Sequence, residues 1–548
     1  MTETLGPEAV ASAHRDTFAR DHLPPRDTWP ELDFSALPAL AYPPRLNCAV
    51  ELLDRMVERG HGDRTAILAP GVRWSYRELL ETANRIARVL RDDLGLVPGN
   101  RVLLRAPNTP LLAACWFAVL KAGGIAVATM PLLRARELEY IVRKARVRLA
   151  LTDARLAADL EQAAERAPEL ERVVRFGADE AGSLEALMRG KPADFPNVET
   201  AADDVALIAF TSGTTGQAKG TMHFHRDVMA ACDCFPPHVL RAGPDDVFCG
   251  SPPLAFTFGL GGLLLFPLRI GAAALLVEQP TPPNLLQAIQ EHRATVCFTA
   301  PTAYRAMAAL VKDFDLSSLR KCVSAGEALP LATWEAWREA TGIRIIDGIG
   351  ATEMLHIFIS AAEDEIRPGS TGRAVPGYRA RVVDENGEPV PPGEVGRLAV
   401  QGPTGCRYLD DADRQRAYVQ GGWNYTGDAY AMDGDGYFWY QARSDDMIIS
   451  AGYNIAGPEV ENVLLEHPAV LECGVVGVPD DERGQVVKAF VVLHPGHAPG
   501  EETARALQEF VKSQIAPYKY PRQVEFVDAL PRTLTGKLQR FRLREREG

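Results

Sequence analysis

The stretch Phe210-Thr211-Ser212-Gly213-Thr214-Thr215-Gly216-Gln217-Ala218-Lys219-Gly220 follows an apolar run, residues 205–210, that reads as a buried strand. Hydroxyls, glycines and one lysine dominate what comes after that run. Glycines let the backbone turn its amides toward a ligand, while the hydroxyls and Lys219 add donors and positive charge. Such a loop is suited to gripping a polyphosphate. It is not the G-x-x-x-x-G-K-[ST] loop, because the glycine spacing differs and Thr221 follows Gly220 rather than the lysine. A surface turn is the plain alternative for any Ser/Thr/Gly cluster. The ordered pattern T-S-G-T-T-G-x-x-K-G argues against it.

Four further stretches carry groups that could act on the same ligand. Gly348-Ile349-Gly350-Ala351-Thr352-Glu353 follows a predicted strand, where a Thr-Glu pair on its own reads as a helix cap. Tyr425-Thr426-Gly427-Asp428 reads as a turn and Arg443-Ser444-Asp445-Asp446 as a solvated linker. Thr535-Gly536-Lys537, close to the C-terminus, is a weak signal alone. His223 and His225, and likewise Cys232 and Cys234, form pairs without a matching second pair, so no zinc site is expected.

The elements that must position these groups follow from periodicity. Residues 1–45 are rich in proline and acidic side chains and predict an irregular arm packed on the body. Ser75-Tyr76-Arg77-Glu78 is a capping box, with Leu79, Ala83, Ile86 and Leu90 at helical spacing behind it. Strands are predicted at 101–105, 125–129 and 149–152, with helices over 111–121 and 136–146. After the loop, strands are predicted at 247–250, 272–277, 296–299, 321–324 and 343–346, with helices over 284–292 and 331–340. This alternation implies βαβ units and parallel sheets, in two successive α/β regions. From about Gly372 the rhythm changes. Strands at 379–384 and 396–401, with Asn386-Gly387 as a hairpin signal, predict a small antiparallel, barrel-like region. Helices over 459–466 and 502–515, with strands at 472–478, 487–494 and 523–527, make a compact α+β unit at the end.

The 548 residues suffice for three or four domains' worth of core at about 150 residues each. Hydrophobic content of 46% and charged content of 24% are those of a soluble globular protein. A formal net charge of −13 disfavours nucleic acid and anionic membrane surfaces as partners. Nine cysteines, an odd and dispersed set, point to reduced thiols in a cytoplasm. No signal peptide is expected, and the most apolar segment, 254–277, is broken by Pro267, Arg269 and glycines, so it reads as a helix feeding a buried strand.

Five stretches in this order resemble the adenylate-forming superfamily, which includes acyl-CoA synthetases. The resemblance covers the chain beyond the N-terminal arm. It implies an N-terminal adenylation domain, 1–444, and a mobile C-terminal domain, 445–548, hinged at Asp445. It also implies that Thr211, Ser212, Gly213, Thr214, Thr215, Gly216 and Lys219 hold the ATP phosphates. Thr352 and Glu353 would hold phosphates and Mg²⁺, and Asp428 and Arg443 the ribose. Gly452, beside Tyr453 and Asn454, would line a tunnel for the thiol of coenzyme A. Lys537 would be the adenylation lysine, offsetting two anions that must approach each other.

Within the superfamily, Gly348 to Phe358 is similar to the benzoate-CoA ligase branch. Thr221 to Asp227 and Asp21-His22-Leu23-Pro24-Pro25 are similar to 2-aminobenzoate-CoA ligases. The resemblance implies a small aromatic carboxylic acid as substrate, in a pocket lined by Phe256, Thr257, Phe258, Gly259, Ala325, Gly326 and His356. Two departures stand out. Thr257-Phe258-Gly259 replaces the branch's Ala-Tyr-Gly, which moves the pocket's polar group, and Ala218 replaces a proline. Thr257 or His356 is therefore expected to meet an ortho substituent of the ring, against the alternative that both are satisfied core polarity. The basic residues Arg540, Arg542, Arg544 and Arg546 read as a solvated face or as contacts to coenzyme A phosphates. A homodimer is the assembly kept in view. The rival readings are an adenylation enzyme that loads a carrier protein and a catalytically silent nucleotide-binding protein.

Overall fold

A computed structural model describes residues 10–178, 180–211, 218–443, 446–450, 453–480, 483–515, 517–533 and 536–545. Two sheets form the large α/β body. The first has six strands in the order Arg172–Phe176, Leu149–Asp153, Arg101–Arg105, Ile125–Thr129, Val205–Thr211 and Lys219–Phe224. Neighbours are parallel except the last pair, which is antiparallel. The second has nine strands, and six consecutive ones are parallel: Ile345–Gly350, Lys321–Ser324, Val296–Thr299, Val247–Gly250, Ala273–Leu275 and Thr65–Ala69.

The continuous apolar runs of these strands follow from burial on both faces. All of Arg101–Arg105 is buried, and its terminal arginines turn back onto carbonyls. Arg105 donates to Met130 O at 2.9 Å and Leu133 O at 2.7 Å, and Arg101 Nε to Ala145 O at 2.8 Å. Helix Pro110–Lys121, capped by Thr109, is buried on nearly every side because it lies in the core shared by both sheets. The expected capping box forms: Ser75 Oγ accepts from Glu78 N, and Ser75 N donates to Glu78 Oε2 at 2.7 Å. The N-terminal arm packs on the body through Asp16, which accepts from Arg101 Nη1 at 2.6 Å.

Two boundaries differ from expectation in ways that matter for the site. The strand expected at 343–346 is Ile345–Gly350, so the glycine motif is itself strand and Glu353 sits on the one-turn helix Thr352–Met354. Asn386-Gly387 does turn, organised by Asp384 Oδ1, which accepts from the amides of Asn386 and Glu388 at 2.9 Å each. It closes only the bridge Val383–Pro389, however, and the ladder partner of Arg379–Val383 begins later, at Val395–Gln401. That region is a five-stranded antiparallel sheet. Strand Trp423–Met432 pairs there with both Val395–Gln401 and Phe438–Arg443. Beyond it, Val470–Asp480, Gly484–Leu493 and Gln523–Phe526 join a second five-stranded sheet, covered by helices Gly457–Glu466 and Glu501–Gln514. No helix among the described residues is long and apolar enough to cross a membrane.

Candidate active site

The two strands around the glycine loop fix where it starts and ends. Thr211 and Lys219 are direct cross-strand partners, so the loop between them leaves and re-enters the sheet at one point. Ser212, Gly213, Thr214, Thr215, Gly216 and Gln217 lie outside the described residues. Thr211 Oγ1, at the base of the loop, is buried with no hydrogen-bond partner among the described residues. Lys219 Nζ donates to Glu353 Oε1 at 2.6 Å and to Tyr408 Oη at 2.9 Å, and Tyr408 Oη donates to the same Glu353 oxygen at 2.5 Å. The glutamate is buried, which raises its carboxyl. The Lys219 ammonium and the two hydrogen bonds outweigh burial and hold it below the usual range. Burial and the neighbouring carboxylate push the Tyr408 phenol far up, so it stays a neutral donor.

Thr352 is held by its backbone: His223 Nε2 donates to Thr352 O at 2.7 Å. His223 is buried and thereby has a structural partner, as has His225, whose Nδ1 meets Cys48 Sγ at 3.2 Å. All nine cysteines are buried and free.

Asp428 and Arg443 face each other across adjacent strands, Arg443 Nη1 donating to Asp428 Oδ1 at 3.2 Å and to Thr426 O at 3.1 Å. Gly427 makes this possible: at φ +78° its missing Cβ would stand 2.7 Å from Arg443 Nη2. Burial raises the Asp428 carboxyl, with Arg443 pulling the other way. Asp445 and Gly452 lie outside the described residues.

Lys537 arrives from the C-terminal segment. Its Cε is 3.7 Å from where a Cβ on Gly326 would stand. The side chain is exposed, yet the protein around it lowers its ammonium below the usual lysine range, against the pull of Glu327, Asp428 and Glu353. Of these three carboxylates Glu327 acts on it most strongly. Arg540 and Arg544 correct the expectation of a solvated basic face. Arg540 Nη2 donates to both Glu461 oxygens at 2.7 Å, and Arg544 Nη1 to Asp446 Oδ1 at 2.6 Å. Arg542 is exposed, and Arg546 lies outside the described residues.

The acid end is built from the short helix Thr257–Leu260 and its N-cap Phe256. Gly259 packs so tightly that a Cβ would stand 2.1 Å from Pro253 O. Ala325 is buried, and Gly326, at φ +92°, follows it just beyond strand Lys321–Ser324. His356 is surrounded by rings that sequence reading missed: Phe235, Phe266 and Phe298 at centroid distances of 5.9, 4.4 and 6.3 Å, besides the expected Phe258 at 5.7 Å. Burial drives its imidazole down to about 3, so it is neutral near pH 7. Nε2 lies 3.4 Å from Phe258 O, which assigns the proton to Nε2 and leaves Nδ1 an acceptor. That Nδ1 is buried with no partner among the described residues. Tyr408 was also missed; its signal was a tyrosine in the Arg407-Tyr408-Leu409-Asp410 segment, with no motif spacing to Glu353. A further missed residue is Asp347, whose carboxyl is raised to about 8 by burial and whose Oδ1 has no partner among the described residues.

Residues 53–407 match the AMP-binding enzyme family and residues 459–537 the AMP-binding enzyme C-terminal domain. The benzoate–CoA ligase of Thauera aromatica is 37% identical, over 92% of this chain and 97% of that protein. Among solved structures, an anthranilate CoA ligase in complex with anthranoyl-AMP aligns with a TM-score of 0.88 at 38% identity, covering 93% of this chain and 99% of that one. A benzoate CoA ligase from Burkholderia xenovorans LB400 aligns with a TM-score of 0.83 at 36% identity, covering 91% and 99%. By these matches this chain belongs to the AMP-binding enzyme family, among the AMP-forming acid–thiol ligases.

Proposed function

We propose that this protein joins an aromatic carboxylic acid to coenzyme A at the expense of ATP, with 2-aminobenzoate as the preferred acid. The observation that carries the reading is Lys537, whose Cε stands 3.7 Å from where a Cβ on Gly326 would be and whose ammonium feels the carboxylates of Glu327, Asp428 and Glu353. A carboxylate is a poor electrophile, and adenylation supplies AMP as its leaving group. In the first step a carboxylate oxygen attacks the α-phosphorus, the bond to the bridging oxygen breaks, and diphosphate leaves. Lys219 and the glycine loop hold the triphosphate, and Lys537 offsets the repulsion between the carboxylate and the phosphate. Glu353 and Thr352 offer the hard oxygen donors that suit a magnesium ion, which when bound would neutralise charge on the triphosphate. In the second step the thiol sulfur of coenzyme A attacks the adenylate carbonyl and AMP leaves. Residues 1–444 and 445–548 act as two units that turn about Asp445 between the steps, withdrawing Lys537.

The choice of acid rests on His356. Its Nδ1 is a buried acceptor with no donor among the described residues, set among aromatic rings, and the amine of 2-aminobenzoate would supply one. The deciding experiment is coenzyme A-dependent AMP release over benzoate, 2-aminobenzoate, hydroxybenzoates, phenylacetate and short fatty acids, with no carrier protein present. Fastest turnover of 2-aminobenzoate is expected. Preference for a fatty acid would defeat the aryl assignment, and adenylate formation without thioester would favour loading of a carrier protein.

A further inference from the structure

Glu327 is a mostly buried carboxylate. It follows Gly326 just beyond strand Lys321–Ser324, and its side chain is 16% exposed. Three cations of the C-terminal segment act on it: Arg532, Lys537 and Arg540. Arg532 Nη1 stands 3.8 Å from Glu327 Oε1, and Glu327 is the strongest charge felt by the Lys537 ammonium.

Arg532 also shapes the loop that carries the lysine. Its Nη1 donates to Gly536 O at 2.7 Å and its Nη2 to Glu472 Oε2 at 2.8 Å. Thr533 N donates to Lys537 O at 2.7 Å, and Arg532 bridges Leu538, so the loop is closed on itself. The bonds from Arg532 to Glu472 and from Arg540 to Glu461 stay within 445–548 and travel with it. They are equal in every orientation of that unit and cannot favour one. The Arg532–Glu327 pair and the pull of Glu327 on Lys537, by contrast, act between the two units.

We propose that Glu327 is the positioning residue that selects the lysine-in arrangement, drawing Arg532 and Lys537 together onto one carboxylate of the large unit. The proposal rests on the reading above, in which Lys537 serves adenylation and leaves for thioester formation. Turning the small unit would break the Arg532 pair, carry Lys537 away and strip a largely buried carboxylate of its counter-charges. Glu327 thus biases the enzyme toward the first half-reaction without touching the reacting atoms.

Glu327→Gln keeps the size and removes the charge. Aryl-acid-dependent exchange of diphosphate into ATP is expected to fall about tenfold. Thioester formation from supplied aryl-adenylate and coenzyme A should be unchanged, which also shows that the variant is folded. A fluorophore pair with one dye on each unit should show depletion of the lysine-in distance. Equal loss in both half-reactions, or unchanged exchange and dye distances, overturns the proposal. Arg532→Gln removes the same contact from the other unit. If Glu327→Gln does not fold, Arg532→Gln supports the proposal by losing exchange alone together with depletion of the lysine-in dye distance, and overturns it if the dye distances stay unchanged or both half-reactions fall equally. Wild-type enzyme that runs neither half-reaction on an aryl acid would overturn the underlying reading instead, an outcome separate from any variant-to-wild-type ratio.

Discussion

At the phosphate end of the cleft, Lys219, Glu353 and Tyr408 are bonded to one another at 2.5–2.9 Å, whereas at the acid end His356 sits neutral among four aromatic rings with Nδ1 unpaired. The first region keeps strong charges in the fold by letting them neutralise each other, so a ligand enters by exchange of partners. The second excludes water and leaves one acceptor, so a ligand enters by filling space and supplying a donor. On the proposed reading, a polyphosphate is recognised by charge that is already in place and a ring by shape plus one hydrogen bond.

The sharpest break of this comparison is at Lys537, the lysine proposed to serve adenylation. Lys537→Ala should lower adenylation by roughly 10²–10³-fold, the usual loss for one electrostatic stabiliser. Thioester formation from supplied adenylate should survive, and an equal fall in both half-reactions would remove the role assigned to the lysine.

Tyr408→Phe probes the phosphate end alone. It takes a neutral donor from a buried carboxylate, at a cost of about 1–3 kcal/mol. Thermal melting should report that loss, and the KM for ATP should rise more than kcat changes. If both stay at wild-type values, Tyr408 is a bystander.

At the acid end, His356→Phe keeps a ring and deletes Nδ1. The kcat/KM preference for 2-aminobenzoate over benzoate should then fall about tenfold, the worth of one buried hydrogen bond left unpaired. Thr257→Ala, measured beside it, leaves the preference intact if His356 is the partner and lowers it if Thr257 is.

The smallest effect is on stability against pH. The folded imidazole of His356 sits at about 3 and an ordinary one near 6.5, so between those values the unfolded chain binds the proton and the folded chain does not. The stabilisation is complete above about pH 6.5 and is lost as pH falls toward 3. His225, also lowered to about 3 by burial, acts in the same sense. The melting temperature should drop less between pH 7 and pH 5 in His356→Phe than in wild type, and equal slopes would mean that His356 is protonated in the fold.

Element types were largely readable because buried parallel strands are continuous apolar runs. The strands at Arg101–Arg105, Ile125–Thr129 and Val247–Gly250 have the expected bounds. The Thr65–Ala69 and Val72–Ser75 hairpin was not anticipated, although the two-residue turn Pro70-Gly71, with Gly71 at φ +73°, was its signal in the sequence. In the site, motif residues could be named, but their partners could not. Tyr408 lies 55 positions from Glu353, and Arg532 meets Glu327 across the junction of two units. No local spacing encodes either contact.

The sequence by itself determined the chemistry on offer: a donor-rich glycine loop, a carboxylate at the end of a strand, a turn carrying Asp428 and a basic residue on a tight loop near the tail. Composition and short-range order specify such features because they depend on backbone freedom and side-chain charge within a few residues. Only the tertiary structure decided which charges neutralise each other, which tautomer His356 adopts and which carboxylate receives the tail. Those outcomes depend on sheet order and on the exclusion of water, which fix distances between residues far apart in the chain.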